Sequence, residues 1–225
     1  MFRLLTFFLP LLMVGHAGAA PGPMALSAHS PRNPTITGTL SITQLEAVCT
    51  LRDALARTTV TLTLAVELPK AVPVQPMGGT LVFPLPPDCV ITGAALDLGA
   101  VLRRASMTFK ETARAAYTSV VTRQLDPCLV TLRPDGMVEV QVFPITPDTP
   151  RRLQLEFTQI LTPGPAGLTW KFPFRLPQPV AETSLTTDAP QLPQHGKALP
   201  QHFSGGSGWS LTAPLPPPGG CTSKR

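Results

Sequence analysis

The stretch from Ala56 to Leu68 (ARTTVTLTLAVEL) does most to limit what this chain can become. Val60, Leu62, Leu64 and Val66 alternate with threonines. A period of two puts the aliphatic side chains on one face of a strand and the hydroxyls on the other, so one face is buried and one is wet. Such a strand needs partners, and the chain offers several. Leu45 to Leu51 alternates. Thr80 to Leu85 is a short strand stopped by Pro86-Pro87, after a loop from Pro69 to Gly79. Val90 to Leu96 and Gly99 to Arg104 flank a turn at Asp97 to Gly99. Leu129 to Leu132 and Met137 to Phe143 flank Pro134-Asp135-Gly136, a hairpin signal. Arg152 to Ile160 puts Leu153, Leu155, Phe157 and Gln159 on one face. The 28 prolines are far above ordinary usage and suit short strands and turns. Many short strands with regular turns predict an all-β fold, an antiparallel β-sandwich.

One segment breaks the pattern. In Thr108 to Pro127, Ala113, Ala116, Tyr117 and Val120 recur at i, i+3, i+4 and i+7, the spacing of one helix face. Thr108 and Glu111 have the spacing of a capping box. Asp126-Pro127 ends the run, because proline cannot continue a helix. The expectation is one amphipathic α-helix over about residues 110–122, lying on the edge or end of the sheet and covering its oily side.

Residues 1–19 read as a signal peptide. Arg3 supplies the charge, Leu4 to Val14 the apolar run, and Ala17-Gly18-Ala19 the cleavage site. The run is about 11 residues and contains Pro10, too short for the roughly 20 that span a bilayer. The mature protein is expected to be soluble and exported, periplasmic or secreted, with no membrane span after cleavage. Residues 20–37 read as a flexible leader, 38–163 as the domain, and 164–225 as partial strands at Leu168 to Leu176 and Val180 to Thr187, with Trp170 and Trp209 in a small partial sandwich, and a weakly structured Pro/Gly-rich tail.

Few residues suggest chemistry. The net charge of +5 is scattered, with no Lys/Arg cluster among aromatics, so nucleic acid is not an expected partner. His16, His29, His195 and His202 fall in the signal, leader and tail, so the domain holds no histidine base for a nucleophile. Asp88, Asp97 and Asp135 stand near turns, which explain them without catalysis. Arg103-Arg104 and Arg151-Arg152 read as solvated strand ends, with a partner-facing basic patch as the sharper reading. Gly205 to Gly208 opens no helix and is no phosphate loop. Cys49, Cys89, Cys128 and Cys221 contain no CxxC pair, so zinc is not expected. In an exported protein they are candidate disulfide cysteines, and spacing does not choose among three pairings. No catalytic residue, metal or cofactor is expected.

A resemblance becomes specific when the blocks are taken in order. ARTTVTLTL, TLVFPLPPDCVITGAALDLG, KETARAAYTSVVTRQLDP and EVQVFPITPDTPRRLQLEFTQ resemble the vault protein inter-alpha-trypsin (VIT) domain over roughly residues 38–163. Phe83, Pro84, Glu111, Tyr117, Asp126, Pro127, Phe143 and Pro144 carry the signature. Cys89 and Cys128 stand where the family has small or apolar residues, and Ala115 and Thr118-Ser119 where its helix is usually acidic. The resemblance implies a β-sandwich interaction module, extracellular or on a large assembly, with a protein partner of unspecified identity. In the family it commonly precedes a von Willebrand factor type A domain, whose Asp-x-Ser-x-Ser cation motif is absent from this sequence. The expected function is an exported, non-enzymatic interaction or structural module at the cell envelope or outside the cell, a short bacterial-type relative lacking that second domain. The alternative is a fragment of a larger exported adhesion protein or hydrolase whose functional domain lay downstream.

Overall fold

The structure, a computed structural model, describes residues 24–52, 54–86, 88–99, 101–106, 110–122, 128–164, 167–172, 175–178, 180, 182–187 and 210–213. The strands are β1 (Ala25–His29), β2 (Thr37–Arg52), β3 (Leu55–Glu67), β4 (Met77–Pro84), β5 (Cys89–Leu98) and β6 (Val101–Arg104). Helix α1 (Lys110–Thr122) follows, then β7 (Cys128–Leu132), β8 (Met137–Ile145) and β9 (Arg151–Ile160). The last are β10 (Pro163–Gly164), β11 (Gly167–Lys171), β12 (Glu182–Thr187) and β13 (Ser210–Ala213). The all-β class and the helix at 110–122 are as expected.

Among the described residues ten strands form one sheet, in the order β6-β5-β9-β3-β2-β1-β4-β8-β7, with β12 added beside β2. β10, β11 and β13 form a smaller sheet. Every pairing along the main order is antiparallel, whereas β12 runs parallel to β2. The long sheet folds over on itself. Phe83 of β4 meets Phe157 of β9 edge to face, with ring centroids 6.4 Å apart, although three strands lie between them in the order. Val60, Leu62, Leu64, Leu81, Val138, Val140, Leu153 and Leu155 fill the space between the halves and are fully buried. Each such side chain contributes roughly 1.5–3 kcal/mol.

The corner of the fold lies in β2, which pairs with β3 along nearly its whole length but meets β1 only at Thr37 and Gly38. Leu40 and Ile42 are buried, and then Leu45, Ala47, Cys49 and Leu51. The parity of the buried set changes between them, where the register slips between Ile42 and Gln44. Thr43 is the extra residue of a β-bulge. Without it, one half of the strand would turn its apolar side chains to water. Gly78 and Gly79, expected in a loop, lie in β4; a Cβ on Gly79 would stand 2.7 Å from Ile145 Cδ1.

The helix does not cover the oily face. It links β6 to β7, the first and last strands of the order, and packs on β7. Ala113 and Tyr117 are half-buried, while Glu111 and Ala116 are exposed. No described helix residue belongs to the core. A long twisted sheet buries one face by curling against its own other half, so the helix is left with only an edge to pack on. Thr108, Asp126, Pro127 and the side chain of Val120 lie outside what is described.

Both flanks of the expected domain enter the same core. Ala25–His29, expected in the flexible leader, is β1 and sits between β2 and β4, next to the buried Met24. Trp170, Phe172, Leu176 and Val180 join the main hydrophobic cluster rather than a separate small sandwich. The Met24 amide donates to the Arg175 carbonyl at 2.8 Å, which ties one flank to the other. The expected signal peptide, Trp209 and Cys221 lie outside the described residues.

Candidate functional site

Arg151 and Asp97 contradict their sequence reading as a solvated strand end and a turn residue. Both are buried, 7% and 8% exposed. Arg151 Nε donates to the Pro144 carbonyl at 2.7 Å, and Nη1 donates to the Asp97 carbonyl at 3.3 Å. Nη1 also lies 4.0 Å from Asp97 Oδ1, a buried oxygen that accepts no hydrogen bond. One guanidinium thus ties together the ends of β5, β8 and β9. Removing one partner of such a buried pair strands the other charge, which costs about 3–5 kcal/mol. Within the signature, Phe83 and Phe143 are core residues and Pro84 and Pro144 are half-buried, Pro144 offering its carbonyl to Arg151.

The thiols are sheltered rather than activated. Burial, with the Asp88 charge beside it, pushes the Cys89 thiol up to about 12. Burial alone pushes Cys128 up to about 12. Burial and the neighbouring Cys128 also raise the Tyr117 phenol, which places this helix residue against the start of β7. Cys89 and Cys128 are both free. Cys49 and Cys89 cannot join each other. β3 and β9 separate their strands, and three inter-strand spacings make about 14 Å, twice what a disulfide spans. A protonated thiol is a poor nucleophile.

Other polar groups have local duties. Gln159 Nε2 donates to Asp88 Oδ2 at 3.0 Å. Asp135 Oδ1 accepts from the Met137 amide at 3.1 Å beside Gly136, whose φ is +76°, as its turn reading expects. Arg104 pairs with Glu156, while Arg103 and Arg152 are exposed. His29 stands exposed on β1, inside the sheet rather than in a leader. Among the described residues no cluster of His, Cys, Asp or Glu could hold a metal ion, and no helix is long and apolar enough to cross a membrane. His195, His202 and Gly205 to Gly208 lie outside them.

The feature best placed to engage another chain is the second edge of β2. β1 covers only its first two residues, and β12 covers Gln44 to Cys49 in a parallel register, with Leu185 opposite Ala47. Gln44 Nε2 donates to Glu182 Oε2 at 2.7 Å, and Leu185 packs on the core. Upstream, Trp170 anchors the same segment: its Nε1 donates to Thr58 Oγ1 at 3.0 Å, and its ring meets Phe172 edge to face. The sequence alone announces neither the parallel pairing nor this anchor. The one available signal was Thr58, a hydroxyl on the apolar face of β3.

These features define the class: an all-β sandwich module whose edges and flanks are managed by its own strands. A family model, the vault protein inter-alpha-trypsin domain, matches residues 42–157, just over half the chain. The chain belongs to that family. No curated protein matches it. Among solved structures it is similar to an M1 zinc metallopeptidase mutant from Deinococcus radiodurans bound to a Tyr-Ser-Ala substrate. That similarity has 13% identity and a TM-score of 0.35, and covers 69% of this chain and 34% of the other. The chain therefore spans about a third of that structure's length.

Proposed function

We propose that this chain is an exported, non-enzymatic VIT-domain module that binds a protein partner at the cell envelope or outside the cell. The observation that carries the reading is where the reactive side chains are spent. Arg151 and Asp97 tie strand ends together, Asp88 receives Gln159, and the Cys89 and Cys128 thiols are held protonated. Family membership supports an interaction role, and the segment Arg3 to Ala19 supports export. Cell fractionation with N-terminal sequencing tests export: the mature chain should begin after Ala19 and sit outside the cytoplasm. A full-length chain in the cytoplasm would refute it. Cross-linking of the mature chain in its own envelope should give a discrete, saturable protein adduct. Turnover of ester, peptide or glycoside substrates, abolished by one substitution that leaves the fold intact, would end the non-enzymatic reading.

A further inference from the structure

We propose that the edge of β2 from Gln44 to Cys49 is a strand-docking site, filled at rest by the chain's own β12 and opened to an extended peptide of the protein partner. The inference rests on the interaction reading and gives it a place and a partner chemistry. β12 differs from the other strands of the main sheet. Among the described residues it makes the one parallel pairing, and parallel ladders are slightly less stable per residue. Among the described residues it has a strand neighbour on one side only, and none of its own six residues is fully buried. Leu185 is its hydrophobic side chain packed against the core. The chain before it is fixed independently by Trp170, Leu176 and Val180, each at most 2% exposed. β12 can therefore open while its anchor stays docked, which places it at the low-stability end of the molecule.

Once open, β2 presents about 20 Å of backbone donors and acceptors. Main-chain bonds of this kind supply affinity, and alternate side-chain seats supply specificity. The resting occupant shows what the seats accept. Leu185 registers with Ala47, the smallest member of the buried row Leu45, Ala47, Cys49 and Leu51, so an aliphatic side chain belongs there. Glu182 receives the Gln44 amide, so an acidic residue belongs three positions earlier. Thr183, Ser184, Thr186 and Thr187 mark the remaining positions as small and polar. The partner segment is thus acidic–x–x–aliphatic with small polar neighbours, entering parallel to β2.

The test uses the full chain and a labelled peptide copying residues 180–188. In wild type the edge is self-occupied, which lowers the apparent affinity by the open fraction. Ser184→Pro removes a backbone N–H from β12 and opens the edge. The peptide should bind Ser184→Pro at least about tenfold more tightly than wild type. A peptide carrying Leu185→Asp should lose that gain. Thr183→Pro is run beside Ser184→Pro, because only one of two adjacent amides turns toward β2. The variant that binds the peptide more tightly is the one compared with wild type, with folding judged by tryptophan emission. Equal binding to both chains, binding to neither, or equal binding of the Leu185→Asp peptide overturns the proposal. Hydrogen exchange on wild type reads the same strap independently: amides of 44–49 that turn toward β12 should exchange faster than those that turn toward β3. Equal exchange of the two sets overturns it. The peptide result stands or falls on this edge alone. Absence of any cross-linked partner in cells would instead defeat the interaction reading and leave the peptide result untouched.

Discussion

Thr58→Val tests whether the C-terminal segment belongs to the core. Thr58 shares its face of β3 with Ala56, Val60, Leu62, Leu64 and Val66, and is 1% exposed. Its hydroxyl accepts the Trp170 indole N–H at 3.0 Å. Valine keeps the β-branch and nearly the volume but offers no acceptor. The buried indole N–H is then stranded, at a cost of about 1–3 kcal/mol. Trp170→Phe removes the donor from the other side. In a double-mutant cycle the two changes should be non-additive by about 0.5–3 kcal/mol. Urea unfolding followed by far-UV circular dichroism gives each free energy. A Trp209→Phe background leaves Trp170 as the only indole reporter under excitation that spares Tyr117, because the chain has two tryptophans. A Thr58→Val cost below about 0.5 kcal/mol, the range of surface changes, together with additivity in the cycle, would show that the indole is not seated under β3. The single-core account would then fail.

Three further outcomes are expected. Arg151→Ala should cost about 3–5 kcal/mol by stranding the Asp97 carboxylate, and equilibrium unfolding should show Arg152→Ala, on the exposed side, costing under about 0.5 kcal/mol. Gly38→Ala should destabilise by about 1–3 kcal/mol through overpacking, since a Cβ there would stand 2.9 Å from Val66 Cγ2 and 3.0 Å from the Glu67 carbonyl; a neutral result in thermal melts would show that the corner has slack. The part of the stability that the thiols supply should be constant well below pH 9 and fall as pH rises toward 12, because the folded chain holds the Cys89 and Cys128 protons that the unfolded chain releases from about 9.0. A Cys89→Ala/Cys128→Ala chain should lose that part of the slope, and an unchanged slope would refute the shelter assigned to the thiols.

What the sequence disclosed was local. The alternation in β3 and β9, the hairpin at Pro134-Asp135-Gly136 and the helix at 110–122 all follow from spacing within a few residues. The misreadings were about distance. A charged residue at a strand start looks solvated, and nothing near Arg151 in the chain announces Asp97, 54 positions away. Ala113 and Ala116 satisfy a helical period, but alanines carry too little apolar surface to require burial, so period alone could not say what the helix covers. Leu168 to Leu176 reads as a strand, and nothing in that stretch says which layer it joins. Trp170, Phe172 and Leu176 stand at alternate positions, but that period does not disclose that they close the main core rather than a small sandwich of their own. The bulge was partly visible: the shift from even to odd positions between Ile42 and Leu45 required an extra residue, and Thr43 is it.

The bond from Met24 to Arg175 has a consequence for biogenesis. A ribosome delivers the first of these residues early and the second late, so the sandwich stays unfinished through most of synthesis. Until Trp170 emerges, the inner side of β3 lacks its lid, and the growing sheet keeps part of its apolar face open.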